Sequence, residues 1–170
     1  MGIPAPFFMM THDFTKTRKL TFSALIAASY FAVMFVTQGF AFGPIQIRIA
    51  TALYALAYPF PFLVLPIGIA NSVSNLALGG LGMPDVIGGL IAGIIGVGLV
   101  ALVRVWKLPM ILIILPIILV PGLMVPLWLS PLTGIPYWAL VVNISLGQIT
   151  PAIVGYVLLR ALMKRKVVSI

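Results

Sequence analysis

The sequence predicts an all-α integral membrane protein: a six-helix transmembrane bundle with a short second and third helix and both termini in the cytoplasm. Three observations carry this. Of 170 residues, 62% are hydrophobic and 7% charged, with a mean hydropathy of +1.25, which is more apolar surface than a soluble domain of this size covers. Four stretches approach the ~20 residues that cross ~30 Å of hydrocarbon. Nine of the ten basic residues sit at the ends of such stretches, where membrane proteins keep cytoplasmic charge.

The chain reads as one domain, with a cytoplasmic segment over residues 1–19, the bundle over 20–163 and a basic tail over 164–170. The opening MGIPAP fails the myristoylation pattern at Pro6. The first apolar run is too long for a signal peptide and lacks a small-x-small cleavage site, so it reads as a retained helix. That run spans 20–42, behind Lys16, Arg18 and Lys19; the other clear ones span 86–103, 109–129 and 137–159. Trp106, Trp128 and Trp138 fall at or near their ends, the interfacial aromatic pattern.

The stretch 48–80 is harder. Its 33 residues carry Pro59, Pro61 and Pro66, and two full spans need about 40. Parity decides the count. With a cytoplasmic amino terminus the first helix runs outward, and the span ending at Arg104 runs inward. The stretch between must therefore begin and end outside, with an even number of crossings. The prolines break it near Pro59–Pro61, leaving short helices over 49–58 and 62–78, or else a re-entrant segment. Short or irregular backbone at membrane depth needs protein or a cavity around it.

The composition excludes several functions. Cysteine and glutamate are absent, and Asp13 and Asp85 are the only carboxylates. Paired-carboxylate catalysis has no residues to work with, and neither does a metal cluster. His12 reads as an ordinary solvated side chain. The chain is expected to be no enzyme and to hold no cofactor. Its net charge of +8 lies in clusters flanking spans, which suits membrane lipids with anionic headgroups and not nucleic acid.

Against that background few residues can carry function. Arg48 is the one cation that the positive-inside pattern leaves unexplained, and an ionisable residue at a bundle's apolar edge is a site hypothesis by default. Asn71 and Asn75 share a helix face with Gly68; two amides in hydrocarbon must find partners on neighbouring helices or on a ligand. Asn143 and Gly147 share a face of the last helix, with Gln148 turned about 140° from Asn143 and Pro151 able to distort the helix between. Tyr54 and Tyr58 are one helical turn apart. Gly79–Asp85 forms a glycine-rich turn into a helix, where Asp85 is placed as an N-cap or as an acceptor for a ligand amine; without lysine and hydroxyl the turn is no P-loop. Ala24, Ala28 and Ala32 give the first helix a small-residue face, and Gly89 and Gly93 do the same for the fourth.

Three stretches carry a family resemblance: GPIQIRIATALYAL, PFPFLVLPIGIANSVSNLALGGLGMPDVIGG and NISLGQITPAIVGYVLLRAL. With these the chain resembles the substrate-binding S components of energy-coupling-factor (ECF) transporters, and most closely the queuosine-precursor transporter (QueT) family. The resemblance implies six helices and an outward pocket for a small-molecule substrate, covered by the loop around Gln46 and Arg48 and completed by helices carrying Asn71, Asn75 and Asn143. It implies docking of Ala24, Ala28 and Ala32 on a transmembrane coupling protein, with ATP hydrolysed on separate ATPase subunits. Thr51 and Gln148 stand where that family pattern carries acidic residues. Asp85 is then the one counter-charge left for a cationic aminomethyl-deazapurine.

Three readings follow. The first is a substrate-capture subunit of an ATP-driven importer in a prokaryotic cell membrane. The second is an autonomous homo-oligomeric carrier or channel with Gly89 and Gly93 at its self-association face. The third is an assembly protein without ligand, whose intramembrane polar groups merely pair with one another.

Overall fold

The Thr15 hydroxyl accepts from the Arg18 backbone N–H at 3.3 Å and starts the first helix earlier than hydropathy places it. A computed structural model describes residues 14–42, 46–79 and 81–164; His12, Asp13, Arg165 and Lys166 lie outside them. Among the described residues, five helices are long and apolar enough to cross a membrane: α1 (Lys16–Val36), α2 (Pro61–Gly79), α3 (Met83–Val105), α4 (Met110–Thr133) and α5 (Tyr137–Lys164). The chain breaks at Pro59–Pro61 as expected, with Pro61 at the first position of α2.

The sixth predicted element has a different form. Ile49–Ala57 is a 3-10 helix of nine residues, where runs beyond three or four residues are uncommon. At ~2.0 Å per residue it covers ~18 Å, against ~13.5 Å for an α-helix of equal length. Its sequence permits this geometry, because i and i+3 side chains eclipse and Ala50, Ala52, Ala55 and Ala57 are small. It occupies the middle of the bundle, with Ala50, Thr51, Ala52, Tyr54, Ala55, Leu56 and Ala57 all buried. Gly155 of α5 presses on it, for a Cβ there would lie 2.7 Å from the Ala52 carbonyl oxygen. The 3-10 geometry also corrects the pairing of Tyr54 with Tyr58. At ~120° per residue they face different ways, and Tyr54 stacks instead on Tyr30 of α1, centroids 6.1 Å apart.

Arg104, expected to do no more than mark topology, ties the far end of this element to α3. Its Nη1 donates to the carbonyls of Tyr58 and Pro59 at 3.3 and 3.4 Å, a cation at a helix carboxyl end. At the same end of the 3-10 helix Phe14, Phe22, Phe60 and Phe62 form a cluster of edge-on and tilted rings, Phe22 and Phe60 at 5.1 Å.

Gly89 and Gly93 face inward. A Cβ on Gly93 would meet the Gly68 Cα at 3.0 Å, and one on Gly89 would run into the Asn75 amide. They bring α2 and α3 together and offer no self-association face. The second reading loses the feature it was built on. Ala24, Ala28 and Ala32, by contrast, are exposed on α1, whose buried residues are Ser23, Tyr30 and Met34.

Candidate functional site

At the near end of the 3-10 helix the chain passes through Gln46–Arg48 without helical structure; residues 43–45 and 80 of the flanking loops lie outside the described set. The Ile47 N–H returns to the Phe40 carbonyl at 3.0 Å, which turns the Arg48 side chain into the bundle. Arg48 is 4% exposed. Its Nη1 donates to Asn75 Oδ1 at 3.1 Å and more weakly to Asn71 Oδ1 at 3.4 Å, and Phe42 lies under the guanidinium, 5.0 Å from ring centre to Cζ. Tyr30 also donates to Asn71 Oδ1, at 3.1 Å.

Both amides are anchored from behind. Asn71 Nδ2 donates to the Gly89 carbonyl at 2.7 Å and Asn75 Nδ2 to the Asp85 carbonyl at 2.9 Å; Ser72 reaches the Val86 carbonyl at 2.9 Å. The first turns of α3 thus hold the α2 side chains with their oxygens turned toward Arg48. At Asn75 the helix becomes a π-helix through Gly79, a rare geometry that is frequent at functional sites. Two rare helix types therefore meet where Arg48 sits.

Asp85 differs from the N-cap reading. Helix α3 begins at Met83 behind Gly82, which takes a left-handed φ of 77°, so the cap position is glycine and Asp85 lies inside the first turn. The reason is Pro84, which suits a first turn because its missing N–H has no helical partner there. Asp85 is 1% exposed; its Oδ1 accepts from the Trp128 indole at 3.0 Å.

Gln148 and Thr51 are joined to one another. Thr51 Oγ1 lies 2.7 Å from Gln148 Oε1 and 2.7 Å from the Arg48 carbonyl; its single proton serves one of them fully. Gln148 Nε2 donates to the Gln46 carbonyl at 3.2 Å. Asn143, five residues earlier on α5, is half-buried and stands apart from this network. The two members of the last-helix pattern are thus separated, and Gln148 faces the 3-10 helix.

Among the described residues, three buried polar atoms have no partner: Gln46 Oε1, Arg48 Nε and Asp85 Oδ2. Each costs ~1–3 kcal/mol if left so, and more when the group is charged. Arg48 bonds amides and Asp85 bonds an indole, so the buried cation and anion each keep open valence. The arrangement can accept from a donor at two oxygens and donate to an acceptor at one nitrogen.

Tyr30, Phe42 and Trp128 join the site without having been candidate site residues on sequence grounds. Tyr30 carried the fainter signal, a phenol in mid-span opposite the alanine face. Trp128 carried a misleading one, since its position suggests the interfacial belt. Residues 20–164 match the family model described as QueT transporter. No curated protein and no solved structure matches the chain.

Proposed function

The chain belongs to the QueT transporter family, and from that premise we propose that it is the substrate-capture (S) subunit of an ATP-driven ECF-type importer. It binds a small vitamin or queuosine-precursor-like molecule between Arg48 and Asp85. One observation carries this reading: among the described residues, three buried polar atoms, on Gln46, Arg48 and Asp85, lack partners. An assembly protein without ligand would have no use for them, because unmade buried bonds only destabilise. The amides of Asn71 and Asn75 orient Arg48, and Tyr54, Thr51 and Gln148 brace the helix it heads. Asn143 is left for an outer contact.

Counting the central 3-10 helix as a short crossing brings the total to six and puts both termini on the side of Arg104. Arg48 then faces outward, where substrate arrives. The exposed face of Ala24, Ala28 and Ala32 is the surface offered to a transmembrane coupling protein, whose ATPase partners supply the energy. The fully buried surroundings of the 3-10 helix support its place at membrane depth.

The test is to purify the protein alone and with coupling and ATPase subunits, then screen deazapurines and vitamins by thermal shift. Tight binding by the isolated chain, with transport confined to the complex, is expected. Transport by the isolated chain in liposomes overturns the proposal. Ala28→Leu is expected to weaken subunit docking at least about tenfold with ligand affinity unchanged; loss of both would assign the alanines to internal packing.

A further inference from the structure

We infer that Trp128 is a positioning residue: it fixes the Asp85 carboxylate so that Oδ2 stays free to accept from the captured molecule, and Asp85 thereby selects ligands presenting a cationic amine. This rests on the capture reading above.

The three tryptophans separate in the structure. Trp106 and Trp138 are 61% and 71% exposed, as belt residues are, whereas Trp128 is half-buried and spends its one donor on Asp85 Oδ1. Its ring lies against α3 at Gly88, where a Cβ would come within 2.7 Å of the indole. Any side chain at 88 would push the ring away. Asp85 and Gly88 are one turn apart, so a single turn of α3 both accepts the indole bond and makes room for the ring.

A carboxylate offers about four lone-pair directions, and here Oδ1 uses one of them. Oδ2 looks toward the end of α2, where a Cβ on Gly79 would lie 2.8 Å from it and 3.3 Å from the Phe42 ring. Phe42 is also the ring beneath the Arg48 guanidinium. The free acceptor of Asp85 and the free donor of Arg48 therefore flank one aromatic wall. A small planar molecule against that wall meets Asp85 with a donor and Arg48 Nε with an acceptor. Without the indole bond the carboxylate could rotate about its side-chain torsions, and the acceptor would lose its aim.

Two 7-deazaguanine probes that differ only at C7, aminomethyl against nitrile, test this on the purified chain. Wild type is expected to prefer the amine about tenfold or more. Trp128→Phe keeps a ring over Gly88 but deletes the donor; it should leave nitrile affinity in place and cut the preference below about threefold. Asp85→Asn, which places a donor beside the acceptor, should abolish or reverse the preference. A purely structural role would weaken both probes alike. Equal affinities in wild type, or full preference in Trp128→Phe, overturn the inference while the capture reading stands. Binding of neither probe overturns the substrate class for both. The positioning half has its own readout, the indole N–H resonance of Trp128 in a ¹⁵N-labelled sample. It should lie downfield of Trp106 and Trp138 and move toward them in Asp85→Ala. A resonance that Asp85→Ala leaves in place overturns it.

Discussion

The two ends of the central 3-10 helix are each held by an arginine, and they are built in opposite ways. At one end Arg48 is 4% exposed and bonded to amides beside a phenol, with three polar atoms unpartnered among the described residues. At the other, Arg104 is half-buried over the carbonyls of Tyr58 and Pro59, beside a wall of phenylalanines. That second end also holds a cavity of about 350 Å³, lined by Phe14, Phe22, Ile26, Leu56, Phe60, Leu158 and Leu162. Open volume alone does not make a recognition site. Carbon walls offer no direction to a polar solute, whereas unmade buried hydrogen bonds do, because each gains most when a complementary group arrives.

The largest effect is expected where that contrast is removed. Arg48→Ala deletes the charged donor and should cost about 1.5–3 kcal/mol of ligand binding, roughly 10- to 100-fold in Kd by calorimetry, with topology unchanged. Unchanged affinity would reduce Arg48 to an internal tie between its loop and Asn71 and Asn75. Arg104→Ala should give the complementary result: the thermal midpoint falls, by about 1 kcal/mol of stability, and ligand Kd holds. A loss of ligand affinity there would mean that the two ends are coupled through the 3-10 helix. The smallest effect belongs to Thr51→Val, which removes one buried hydroxyl bond. About 1 kcal/mol of stability and less than a threefold change in Kd are expected. A drop as deep as that of Arg48→Ala would place Thr51 and Gln148 in contact with ligand.

Much of the architecture was legible in advance, and particular residues show why. Pro59 and Pro61 remove backbone donors, so the break between them holds in any packing. The apolar runs persist because their composition admits no other solvent. Boundaries moved where a cap intervened, as at Thr15, or where Pro84 drew the start of α3 ahead of Asp85. Part of the site was legible too. Arg48, Asn71 and Asn75 stood out because polar groups in hydrocarbon are few, and they converge. Asn143 and Gln148 share a helix, yet Gln148 alone joins the cluster, because which face of α5 meets the 3-10 helix is set by Gly155 against Ala52.

By itself, then, the sequence determined that the chain spans a membrane, where it breaks, and which few polar residues need an explanation. Hydrophobic composition, proline and the cost of burying polar groups act locally and can be read along the chain. Only the tertiary structure decided that Ile49–Ala57 is a 3-10 helix, that Gly89 and Gly93 pack inward, and that Trp128 leaves the belt to hold Asp85. Those outcomes depend on which surfaces meet across the bundle. A hydrogen bond between residues 43 positions apart has no signature in the spacing of either one.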